Sequence, residues 1–244
     1  MSALIFLLLV QPFPNQAELD QLNAAVQQVY DEILKEEGHL VDYAKLAAEP
    51  RLMEALQAYA DFIGTMDLND LQDKNHKIAV LSNTYNVLTL IGVTRAWPVT
   101  SVRKIRPFFG FFKKDKWPFA GGKATLDDIE NKHLRALDPR IHFIINCASA
   151  SCPPLYPTVL TAENVEDIMA RQTVAFLTNS DNNRYDEAKK TFYLSKIFDW
   201  FGSDFGGREG VITFVKEHHP EVNWHPARVK YLDYDWALNG PTGK

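Results

Sequence analysis

The chain is poor in the features that usually declare a function. It has two cysteines, Cys147 and Cys152, in 244 residues, which excludes a disulfide-dense miniature scaffold. It has no overall surplus of positive charge. The 26 Lys and Arg against 31 Asp and Glu leave a formal −5 at pH 7, so no global basic field exists to hold a phosphate backbone, and nucleic acid is not expected as a partner. It has no uncharged apolar run long enough to cross a bilayer. The longest, Ala3 to Val10, has the length of a signal-peptide core. No Gly-x-Ser-x-Gly elbow is present, and Ser149 and Ser151 share one turn, which argues against a Ser-His-Asp hydrolase. There is no internal repeat, low-complexity tract or long linker.

What is present suffices for one sizeable core: 46% hydrophobic and 12% aromatic residues. Residues 1–17 read as an apolar segment of signal type and 18–244 as a single domain, which gives a periplasmic or cell-envelope location as the expectation. Against export, no Lys or Arg precedes the apolar run and only Ala17 offers a small-residue cleavage site. The alternative is a cytoplasmic protein in which the run is a buried N-terminal strand.

Helical spacing of Leu19, Leu22, Val26, Val29, Tyr30 and Ile33 predicts an amphipathic helix from Ala17 to Glu37, stopped by Gly38. A second helix follows Pro50, and a third runs from about Lys77 to Trp97, where Pro98 ends it. The third is apolar nearly all round, so it belongs in the middle of the domain. Its Asn83 and Asn86 must then find partners, either the backbone of a neighbouring loop or a ligand. Residues 106–122 mix aromatics with Gly and Pro and read as an irregular connection, with core packing the expected role of its rings. Thr125 begins a helix with Asp128 in place of the capping-box Glu. Residues 140–147 read as a strand, Thr161 as the cap of a further helix, and Asp181–Asn183 as a turn before a strand pair bent at Glu187–Lys190. Two short helices and a C-terminal strand complete the chain. Helices lead and strands follow, so the expected class is α+β: a helix-rich N-terminal half packed on a small, mostly antiparallel sheet from the C-terminal half.

The chemistry-bearing stretch is RIHFIINCASASCPPL. On an extended strand His142 and Cys147 point to opposite faces and lie roughly 16 Å apart, too far for a thiolate–imidazole pair. Cys152 lies on the proline-flanked turn that follows, and a loop folding back would bring it to His142. Three readings stay open: a Cys147–Cys152 disulfide, two reduced cysteines without chemistry, and a catalytic thiol. A zinc knuckle is a poor fit to the C-x4-C spacing, and the His218–Pro220 stretch reads as a helix end. No metal or cofactor is expected.

The segments NTYNVLTL, TLDDIENKHLRALDPRIHFIINCASASCPPL, IFDWFGSDF and YDWALN, in this order across residues 40–240, resemble the domain of unknown function 547 family of bacteria and plants. VLSNTYN departs from the usual hydrophobic-Asn-Ala-Tyr-Asn, and the histidine expected before the helix's ILR appears only as His133. The resemblance implies a domain often exported in bacteria, and a distant likeness to papain and transglutaminase-like thiol enzymes. It draws attention to Asn83, Tyr85, Asn86 and Ser151 as binding residues, and to Trp200, Asp204, Tyr234, Trp236 and Asn239. The expected mechanism has Cys152 attacking an acyl or amide carbonyl, His142 as general base, and Asn146 or Asp235 orienting the imidazole. The substrate would be a peptide, a glycan or a small acyl or amide compound. The alternative is a non-enzymatic envelope domain, stapled by the disulfide, that binds a peptide or glycan.

Overall fold

Every residue from Ile78 to Thr94 is buried, so one helix forms the axis on which the rest of the chain is hung. The computed structural model describes residues 15–71, 73–220 and 228–241. The apolar run Ala3–Val10, with its signal and strand readings, lies outside them.

The first described element is α1 (Gln16–Ile33), shorter than its periodicity suggests. The expected stop at Gly38 is instead the turn of a hairpin, β1 (Leu34–Lys35) pairing antiparallel with β2 (Leu40–Val41). Gly38 takes φ 88° there, and a Cβ would fall 1.8 Å from the Leu155 carbonyl oxygen, so only glycine fits. Next come α2 (Tyr43–Ala48), capped by Asp42, α3 (Pro50–Thr65), with Pro50 in its first turn, and the central α4 (Lys74–Arg95), capped by Asp73. Helices α1 and α3 turn their apolar stripes onto each other and α3 packs on α4, which is why α4 carries no polar face.

A short helix, α5 (Gly110–Lys113), lies in the aromatic connection and leads to a second hairpin, β3 (Trp117–Phe119) with β4 (Gly122–Ala124). The helix opened by Thr125 has the predicted reciprocal cap with Asp128. Its first turn, α6 (Leu126–Asp128), continues as a π-helical turn over Ile129–Leu134.

Residues 140–147 form no strand. Asp138 accepts from the Arg140 N–H, Pro139 occupies the first helical position, and Pro139–Phe143 winds as a tight 3-10 turn. The turn can face two cores at once, which a flat strand beside no partner could not. Ile141, Ile144 and Ile145 enter the core around α4, whereas Phe143 enters a second, phenylalanine-rich core. That second core is built on α7 (Val165–Thr178), β5 (Arg184–Asp186), β6 (Thr191–Leu194), α8 (Ile197–Trp200), α9 (Gly207–Lys216) and β7 (Arg228–Tyr231). Strand β6 pairs antiparallel with β5, across the predicted bend, and parallel with β7. The whole is a single α+β domain. Its sheets differ from the expectation: two of the three come from the first half, and the helical half has its own core rather than resting on the C-terminal sheet. No helix among the described residues is long and apolar enough to cross a membrane.

Candidate active site

Helix α4 holds the site through its two buried amides. Asn83 donates from Nδ2 to the Leu160 carbonyl (2.8 Å) and accepts the Leu160 N–H at Oδ1 (3.2 Å). Asn86 does the same for the cysteine loop, donating to the Ile144 carbonyl (3.0 Å) and accepting from the Asn146 N–H (2.8 Å). Each amide thus replaces the strand that the loop backbone lacks, which is the reason an otherwise apolar helix carries them. Both connect the helix to a loop backbone, as buried amides usually do.

Asn146 pins the loop from within. Its Nδ2 donates to the Pro153 carbonyl (2.7 Å), and its Oδ1 accepts from the Ala148 N–H (2.8 Å) and from Asn239 Nδ2 (3.2 Å). The buried Tyr43 hydroxyl fixes Asn239 in turn (2.9 Å). Ala148, next to Cys147, is held at φ 61°, a left-handed conformation costly for a residue with a Cβ. The C-terminal segment straps the loop from outside: Ala150 and Ser151 N–H groups donate to the Ala237 and Asp235 carbonyls, and Ser151 Oγ accepts the Asp235 N–H (2.8 Å). Tyr234 is thereby laid over Cys147.

Both cysteines are half-buried free thiols, and Cys152 Sγ lies 3.9 Å from the Ile145 carbonyl oxygen. Cys147 Sγ also contacts Ser149 Oγ (2.9 Å) and Tyr234 Oη (3.3 Å). Burial pushes the Cys147 thiol up, but hydrogen bonds from Cys152, Ser149 and Tyr234 outweigh it and bring its pKa to about 7. Cys152 moves the other way, its thiol raised by burial and by the neighbouring Cys147. The Cys147 N–H donates to Cys152 Sγ (2.9 Å).

His142 sits between two carboxylates: Nε2 is 2.8 Å from Asp204 Oδ2 and Nδ1 is 3.6 Å from Glu130 Oε1. Phe201 stacks on the ring at 4.1 Å, and Arg135 chelates Asp204 from behind with two N–H groups. Burial lowers the pKa of His142, and the two carboxylates more than reverse this, so the imidazolium is favoured. Glu130 reaches the ring because it lies on the π-helical turn, a device that re-aims side chains at functional positions.

Thiols and imidazolium open onto one cavity of about 150 Å³. Tyr85, Glu130, Asp127 and Lys113 also line it. Much of its wall is aromatic, formed by Phe109, Phe112, Trp200, Phe201, Tyr234 and Trp236. For Phe109 and Phe112 this is the cleft-lining role that the aromatic stretch 106–122 also allows. Among the described residues no group of three or more His, Cys, Asp or Glu is arranged to hold a metal ion.

The roles within the expected set differ from the sequence reading. Cys152 is the protonated partner, and the low-pKa sulfur is Cys147. The imidazole is oriented by Asp204 and Glu130. Asn146 binds loop backbone, and Asp235 Oδ1 accepts only the Ala237 N–H (2.8 Å). Ser151 holds the C-terminal strap instead of lining the cavity. Glu130 and Ser149 were missed because a capped helix turn and a Ser/Ala loop explain them locally, and no spacing announces their long-range contacts.

Residues 68–177 match the family described as Protein of unknown function, DUF547, which includes the α4 amides, Glu130, His142 and both cysteines and supports the resemblance read from the motifs. No curated protein and no solved structure matches the chain.

Proposed function

We propose that this domain is a thiol-dependent acyl or amide hydrolase or transferase with Cys147 as its nucleophile. The supporting observation is a sulfur with a pKa near 7, held by two hydroxyls and a second thiol, on an aromatic-walled cavity that also contains an imidazolium. Cys147 Sγ would bond to the carbonyl carbon, and the leaving amine, alcohol or thiol would depart with a proton supplied by His142. Water or an acceptor, giving its proton back to His142, would then take the acyl group and return sulfur to the thiolate. Asp204 fixes the ring as the third member does in other nucleophile–base–orienter sets, and the papain and transglutaminase-like likeness belongs with this reading as an analogy. Export to the periplasm or envelope is part of the proposal, resting on the apolar run Ala3–Val10.

The test is acyl-enzyme trapping with activated esters and thioesters, followed by mass spectrometry. Cys147→Ala should abolish the adduct while Cys152→Ala retains it. An adduct unchanged in Cys147→Ala would refute the assignment.

The Cys147 N–H bond to Cys152 Sγ (2.9 Å), which places the two free cysteines side by side, favours one other reading, a binding domain for a peptide or glycan whose Cys147 and Cys152 close a disulfide on oxidation. Counting thiols in the folded, unreduced protein separates the two. Two reactive thiols support the enzyme and none supports the staple.

A further inference from the structure

The stretch 103–116 holds six cations, Arg103, Lys104, Arg106, Lys113, Lys114 and Lys116, against the single carboxylate of Asp115, so it carries +5 in a chain of net −5. All six are exposed. Arg106 pairs with Asp115 and Lys113 lies 3.8 Å from Asp127. The other four have no carboxylate within salt-bridge distance among the described residues. At the centre of this charge stands Phe108, 89% exposed, the most exposed large hydrophobic side chain described. Its backbone is at φ 57° and that of Phe109 at φ 55°. Two successive left-handed residues with β-carbons are costly, and here they turn Phe108 outward while Phe109 turns in against Trp236 (5.1 Å) under the Arg103 guanidinium. An exposed aromatic in a short stretch rich in exposed cations is the composition of an interfacial anchor, in which cations approach anionic headgroups and the ring enters the acyl boundary.

We infer that the 103–116 loop docks this domain on an anionic phospholipid surface, with Phe108 inserted and Arg103, Lys104, Lys114 and Lys116 over the headgroups. The loop also forms one wall of the thiol cavity through Phe109 and Phe112, and Trp200, 42% exposed, continues the aromatic surface beside Trp236 (5.6 Å). Docking would therefore bring the cavity mouth to the membrane. The inference does not depend on the thiol chemistry.

Cosedimentation of the full chain with vesicles of phosphatidylcholine, with or without phosphatidylglycerol, tests it. Binding should require phosphatidylglycerol and weaken steeply with added salt. Phe108→Ala, in which an exposed ring is lost and folding is untouched, should weaken binding about tenfold. Lys114→Glu with Lys116→Glu should weaken it at least about a hundredfold, at about fivefold per unit of charge. Because the variants share every other segment, only this loop can cause the difference. No binding, or binding equal in Phe108→Ala and in the charge reversal, would overturn the inference. So would binding to soluble polyphosphate that competes fully with vesicles and ignores Phe108, which would mark a plain polyanion site.

Discussion

Replacing Tyr234 by Phe removes one oxygen and nothing else, and the structure says what that oxygen does. Tyr234 Oη lies 3.3 Å from Cys147 Sγ and 3.1 Å from Ser149 Oγ. Burial first, and then the nearby cysteine charge, raise the phenol well above its ordinary range, so it remains a donor at any pH at which Cys147 is ionised. A hydrogen bond to a charged group contributes about 1.5–3 kcal/mol. Ser149 and Cys152 remain as donors and take up part of the loss, leaving a net effect of about 1.4 kcal/mol, or one pH unit in the thiol titration. Since the lost bond favoured the ionised form, the pKa must rise from about 7 toward about 8. At pH 7 the thiolate fraction falls from about one half to about one tenth.

Alkylation by iodoacetamide across pH 5 to 10, resolved by mass spectrometry for each cysteine, measures this directly. In the parent, Cys147 should label with a midpoint near 7 and Cys152 only at much higher pH. In Tyr234→Phe the Cys147 curve should move up by about one unit, and Ser149→Ala should act alike. The double variant should shift more than the sum, because in each single variant the remaining hydroxyl takes up part of the loss. An unmoved curve, or Cys152 labelling first in the parent, would refute the hydrogen-bond account of this thiol.

Two further outcomes follow from the carboxylates. Asp138 is buried, and although burial raises its pKa, hydrogen bonds from Arg140 and Lys74 bring it to about 2. A pKa depressed on folding gives stability that is full above the ordinary range near 4 and lost as pH falls through about 2. Asp138→Asn should therefore cost about 2 kcal/mol in urea unfolding at pH 7, with the gap closing toward pH 3 and below; an equal gap at pH 7 and 3 would contradict the linkage. Asp204→Asn removes the nearer carboxylate from His142, so the imidazole pKa should fall on NMR titration of its ring protons, and turnover of any acyl substrate should lose its alkaline limb at a lower pH. A His142 titration that stays in place would show that Glu130 alone controls the ring.

The parts of the fold visible in the sequence were those with a local cause. The 3.6-residue period of Leu19 to Ile33, Pro50 at a helix start and the Thr125–Asp128 cap each act within a turn or two of chain, and each element forms as the pattern requires. The all-round apolar character of α4 correctly put it at the centre. Residues 140–147 misled because β-branched and aromatic content reports burial as much as extension. There the deciding facts are that two separate cores need side chains from one short segment and that no neighbouring strand offers a ladder. Gly38 misled similarly, since a glycine at a helix end and a glycine in a hairpin have the same local appearance.

The site was half visible for the same reason. Cys147, Cys152, His142 and Tyr85 were in view from their residue types, and they do meet at one cavity. Their division of labour was not, because it is set by partners 62 to 87 residues away: Asp204 for His142, Tyr234 for Cys147. Sequence logic sought a base for the thiol and chose the nearest histidine. The fold lowers the thiol's pKa with neutral donors and sets the ring between two carboxylates, which favours the charged imidazole. A site that starts with its nucleophile ionised by hydroxyls and its acid charged by carboxylates needs no proton transfer between the two before attack. For that reason the absence of a direct sulfur–imidazole hydrogen bond is compatible with thiol chemistry, and Tyr234 and Ser149, more than His142, should control when that chemistry begins.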